Sequence, residues 1–154
     1  METTITPLEP ITIVCTVKVN RKRSAEEALK ATGRNQYVNN DVIKAMPQGE
    51  GEETEVVFFK LGCTVSENDL DKEYEKRGLK PADPYALAKV NEDDPAFADE
   101  HPNGTHWKDK NGKWCFASFL NRWCCEREVY VNHYDNGWHG SWWFAGLRKI
   151  NSQR

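Results

Sequence analysis

Glu55-Val56-Val57-Phe58-Phe59-Lys60-Leu61-Gly62 is the stretch on which the fold turns. Four consecutive apolar side chains leave it no polar face, so it reads as a central strand buried on both sides and closed by Gly62. Upstream, residues 10–19 (PITIVCTVKV) are rich in β-branched residues and read as a first strand. Ser24 and Glu27 match a capping box, predicting a short helix over 25–32 stopped by Gly33. Residues 35–40 read as irregular, Asp41 as the cap of a turn ended by Pro47, and 48–53 as a solvated acidic loop.

Downstream, Ser66-Glu67-Asn68-Asp69 opens a helix that runs to Arg77, with Gly78 just past its end. Leu70 and Tyr74 are its apolar stripe, which places it on the surface. Asp83-Pro84 and Asp94-Pro95 each set a capping side chain before a proline, predicting short helices over 84–91 and 95–100. Pro102-Asn103-Gly104 reads as a turn. Strands over 113–120, 122–134 and 141–149 follow, with turn chemistry at Asn111-Gly112 and Asn136-Gly137. The expected class is α+β, one domain over 1–154. It is built on an antiparallel or mixed sheet with a C-terminal β-meander, covered on one face by short helices.

A chain of 154 residues suits one core. No apolar run approaches the roughly 18–20 residues of a membrane span, and no secretory leader is visible after Met1-Glu2. The net charge of −3 hides an asymmetry: residues 1–104 carry −7, whereas 105–154 carry +4 and all six tryptophans. Five cysteines (15, 63, 115, 124 and 125), an odd count with no C-x-x-C pair, indicate free thiols in a reducing cytoplasm.

Eleven aromatic residues fall between Trp107 and Phe144, about twice what the core of a small sheet needs. Trp142 and Trp143 are adjacent, so in a strand they point to opposite faces. Trp138, Trp142 and Trp143 are therefore candidates for stacking contacts, with Arg122, Arg127 and Arg148 for anionic groups. His106, His133 and His139 surround Cys115, Cys124 and Cys125, but their spacings match no zinc framework, so no metal or other cofactor is expected. Thiol–imidazole pairs such as Cys125 with His133 or Cys115 with His106 lack the local signature of a nucleophile, so no catalytic residue is assigned. No phosphate-binding glycine loop is present.

Three stretches, EVVFFKLG (55–62), YEKRGLKPA (74–82) and WFAGLRK (143–149), resemble in order a set of short bacterial and candidate-phylum proteins to which no activity is assigned. The resemblance implies one α+β domain ending in a β-meander, and no catalytic residue. The leading expectation is a cytoplasmic, non-enzymatic interaction protein of the kind that phages and other mobile elements encode. It would use the aromatic, basic C-terminal sheet surface to bind a protein partner or a second copy of itself. Nucleic acid ranks below a protein partner, because the net charge opposes a long polyanion. A pocket for a small molecule, a nucleotide or a signalling compound, between sheet and helices is the second reading. A cysteine-dependent enzyme is the third.

Overall fold

The computed structural model describes residues 12–122 and 126–149. Within them lie eight strands and five helices. They are β1 (Ile13–Lys18), α1 (Ala25–Lys30), β2 (Asn35–Val38), α2 (Asn40–Lys44), β3 (Glu53–Lys60), α3 (Glu67–Lys76) and β4 (Leu79–Pro81), followed by α4 (Pro84–Asp93), α5 (Phe97–Glu100), β5 (Asn103–Lys108), β6 (Trp114–Arg122), β7 (Glu126–His133) and β8 (Trp143–Arg148). All eight strands join one open mixed sheet in the order β1-β3-β8-β5-β6-β7-β2, with β4 also pairing β8. The fold is α+β.

The central reading of β3 follows from its alternation. Val56 and Phe58 point into a core covered by α1, α2 and α4, while Val57 and Phe59 point into a second core covered by α3. Phe58 pairs with Ala145 and Phe59 with Phe144, so both faces of this ladder are dry. Helices thus lie on both sides of the sheet, four toward the larger core and α3 alone toward the smaller. The second core exists because α3 presents Leu70 and Tyr74 to the sheet.

Capping chemistry sets the helix starts. Ser24 Oγ accepts from the Glu27 N–H and Glu27 Oε1 from the Ser24 N–H, completing the expected box. Ser66 caps α3 through the Asp69 N–H, and Asp83 caps α4 through the Ala86 N–H with Pro84 in the first turn. Asp94 behaves otherwise. Its N–H closes α4 on the Val90 carbonyl, and α5 begins without a side-chain cap. Asn39, rather than Asp41, caps α2 through the Asp41 N–H.

Three segments expected as turn or coil are strands. Residues 35–38 pair in parallel with β7. Residues 79–81 pair with β8, and Asn103-Gly104 opens β5. Each is short, so tertiary pairing outweighs weak local preference. The meander consists of β5, β6 and β7, successive antiparallel neighbours. After β7 the chain crosses back, and β8 docks in the middle of the sheet, antiparallel to β3 and parallel to β5. The reason is apolar content: Phe144 and Ala145 are fully buried and fit a central position, not an edge.

One irregularity positions the site. β5 pairs with only the first two residues of β8, and β4 occupies the same flank of β8 further along. The two strands part there, bridged by the Thr105 hydroxyl donating to the Ala82 carbonyl at 2.7 Å. No helix among the described residues is long and apolar enough to cross a membrane.

Candidate functional site

The parting of β4 and β5 opens a cleft of about 650 Å³, walled by Lys80–Asp83 on one side and His106–Lys108 on the other, with Asp71 and Trp114. Ligands collect where neighbouring strands diverge, because backbone and side chains from both converge on one crevice. Arg21 ties the near rim together, donating to the Gln48 and Gly51 carbonyls and to Asp83 Oδ2.

His106 sits in the wall of this cleft with no exposed side-chain surface. Its Nδ1 lies 2.6 Å from Glu67 Oε1 and its Nε2 2.8 Å from Asp71 Oδ1. Helix α3 supplies both carboxylates, one turn apart on one face, which lets them clasp a ring rising from β5. The Trp114 ring stacks on the imidazole at 4.2 Å and 16°. It is a diagonal cross-strand neighbour, since Lys108 pairs with Trp114 and His106 with Phe116. Lys108 Nζ lies 5.0 Å from the Trp114 ring centre.

Burial alone favours the neutral imidazole, but hydrogen bonds to Asp71 and Glu67 outweigh it and hold the His106 pKa above its ordinary value. Both ring nitrogens can then donate, which only the imidazolium does. Glu67 is 3% exposed, and its Oε1 also accepts from Trp138 Nε1 at 3.0 Å. Glu67 Oε2 is buried with no hydrogen-bond partner among the described residues. Asp71 is half-exposed and is the member of the array that meets solvent. A buried carboxylate thus orients a charged imidazole, which in turn holds a carboxylate at a cleft wall.

The residues singled out in sequence lie elsewhere. Trp138 belongs to the second core, edge-on to Trp142 at 5.3 Å, while Trp143 is buried in the first core on the opposite face of the sheet. Gly104 admits the Trp138 ring: a Cβ there would stand 2.7 Å from its Cζ3 and Cη2. The arginines are ion-paired at three separate places. Arg122 pairs with Glu128, Arg127 with Asp99 through both donors, and Arg148 with Glu55. Arg122 also donates to the Tyr130 hydroxyl. Burial opposes ionisation of Glu128, but the Tyr130 hydroxyl and Arg122 win and hold its carboxyl below the usual range. Of the three tryptophans singled out, Trp138 and Trp142 meet ring to ring.

Cys115 faces the opposite side of the sheet from His106, because His106 and Phe116 are register partners. That pairing therefore does not form, and Cys115 meets His133 instead, with 3.4 Å between Sγ and Nδ1. Burial, and then the Asp109 charge, push the Cys115 thiol up to about 11, which keeps it protonated near neutral pH. Cys124, Cys125 and Trp123 lie outside the described residues. No family model, curated protein or solved structure matches this chain.

Glu67 and Asp71 escaped the sequence reading, and His106 was weighed there with the cysteines instead of with these carboxylates. The signal was present in α3: Glu67, Leu70, Asp71 and Tyr74 share the i, i+3, i+4, i+7 stripe that faces the sheet. A stripe with two carboxylates among its apolar members calls for a buried cation.

Proposed function

We propose that this protein binds a small ligand in the cleft between β4 and β5. The ligand combines hydroxyl or amine donors with a flat apolar face, the chemistry shared by nucleosides and sugars. The single observation that carries the reading is His106, a fully buried imidazole clasped by two carboxylates at the wall of an open crevice. Buried ion arrays seldom repay their desolvation in stability, so their place beside a cleft favours a role in the site. Asp71 is the group that accepts from the ligand. His106 fixes its orientation and exchanges a proton with it across 2.8 Å, and Glu67 anchors His106 from behind. Trp107 and Trp114 supply the apolar wall, and Lys80 and Lys108 the flanking positive charge.

Amide-resolved NMR of the full chain, titrated with a panel of nucleosides and monosaccharides, tests this. Saturable shifts at Lys80, His106 and Lys108 that Asp71→Asn abolishes are the expected result. A cleft that stays silent across the panel overturns it.

A second reading, a surface for a protein partner or a second copy, is favoured by the face of β6, β7 and β2 that α3 leaves uncovered. Tyr37 stacks there on Tyr130 at 5.0 Å, beside Arg122, and Tyr37 is 48% exposed. Concentration-dependent mass in light scattering that Tyr37→Ala abolishes would support self-association through it.

A further inference from the structure

We propose that Asp109, Cys115 and His133 form a binding site for a zinc-class divalent metal ion at the turn end of the β5–β6 hairpin. The three residues are brought together by the sheet, not by sequence spacing. Cys115 and His133 are direct cross-strand partners, and Asp109 begins the turn that follows β5. One donor atom from each lies within 4.8 Å of the other two. Cys115 Sγ is 3.4 Å from His133 Nδ1, and that nitrogen is 4.0 Å from Asp109 Oδ2.

The carboxylate is set in place beforehand. Asp109 Oδ1 accepts from the backbone N–H groups of Asn111 at 2.8 Å and Lys113 at 2.9 Å, so Oδ2 is the oxygen nearest the imidazole. Tetrahedral zinc with bonds of about 2.0–2.3 Å needs donors roughly 3.3–3.8 Å apart. The sulfur–nitrogen distance of 3.4 Å already meets this, and a shift of the Asp109 carboxylate oxygen toward both other donors, from 4.0 Å off the nitrogen, closes the rest. Thiolate, imidazole and carboxylate together select zinc and its neighbours over magnesium or calcium. Three protein ligands leave a fourth position for water.

Binding replaces the S–H bond of Cys115 by a sulfur–metal bond, and the thiol proton passes to solvent, one per ion bound. The competing arrangement needs no metal: the thiol donates to the Lys113 carbonyl, 3.7 Å away, or hydrogen-bonds His133.

Cobalt(II) titrated into the full reduced chain separates the two. The expected result is a thiolate-to-cobalt charge-transfer band with four-coordinate d–d absorption, displaced by zinc. Calorimetry in two buffers of different ionisation enthalpy should show one proton released. Cys115→Ser abolishes the charge-transfer band. Asp109→Asn keeps the turn acceptor and His133→Ala alters an exposed side chain, so both fold. Each weakens zinc by more than the ~10–100-fold that follows loss of an outer-shell partner. Cys63→Ser, at an exposed thiol elsewhere, changes nothing. Absence of a thiolate band in the wild-type chain, or a band that survives Cys115→Ser, overturns the assignment.

Discussion

Glu67 Oε1 lies 2.6 Å from His106 Nδ1, with both side chains sealed from solvent. Removing Glu67 leaves His106 with Asp71 as its remaining carboxylate and Trp138 Nε1 without its acceptor, a loss of about 1–3 kcal/mol. Glu67→Ala should lower the urea midpoint accordingly. Glu67→Gln, which keeps an oxygen for Trp138 and His106, should lower it by less. Equal midpoints for Glu67→Ala and the wild type would mean that the pair contributes nothing to folding.

Asp71 and Glu67 together fix a direction with pH through His106. The folded His106 pKa is raised above its ordinary value, so its stabilisation is fully present below the unfolded imidazole value of about 6.5. It is lost as pH rises through the folded value. Urea midpoints from about pH 6 to pH 9 should therefore show a decline on the alkaline side that tracks the His106 imidazole titration seen by NMR. An imidazole that titrates at or below its ordinary value would contradict a charged array.

Gly104 lets the Trp138 indole lie against β5. A methyl group at this position meets Trp138 carbons at 2.7 Å and the Ala117 carbonyl at 3.1 Å. Gly104→Ala should cost roughly 1–3 kcal/mol, as overpacking does, and move the indole away from Glu67. Loss of near-ultraviolet circular dichroism with a lowered denaturation midpoint is the expected reading.

The fold was legible in sequence where local chemistry and burial agreed. The capping side chains Ser24, Ser66 and Asp83 and the two-faced apolar run 56–59 predicted α1, α3, α4 and β3 from short windows. β2, β4 and β5 were not legible: β2 and β4 are held by ladders to strands far away in sequence, and β5 begins in a stretch with turn chemistry whose first residues pair with the distant β8. The site divides the same way. The carboxylates of α3 could have been read from their helical phase. That His106 would rise opposite them depends on the register of β5, which no local pattern encodes. Tryptophans concentrated near the C-terminal end suggested a surface, yet Trp138 and Trp143 fill the two cores. Composition records how many aromatic residues there are, not which side of a sheet they face.

Tyr74 crosses the second core to donate its hydroxyl to the Ala145 carbonyl at 2.7 Å, and burial pushes its pKa up. The Ala145 carbonyl also accepts from the Ala82 N–H at 2.9 Å, so it keeps one partner in Tyr74→Phe. That substitution should cost about 1 kcal/mol by chemical denaturation, the net worth of one buried hydrogen bond. A loss of several kcal/mol would indicate that the hydroxyl serves a wider network.

β8 holds together two parts of the sheet that share no other ladder along its main path: β1 with β3 on one side, and β5, β6, β7 and β2 on the other. It is also the last of the described strands to be synthesised. Until residues 143–148 emerge, Phe58 and Phe59 have no partner strand on that edge, and the divergence that forms the cleft does not exist. Ribosome-bound chains short of this point should therefore stay protease-sensitive and ligand-free, with maturation arriving in one late, long-range step. Binding in the proposed cleft would then report the completion of folding.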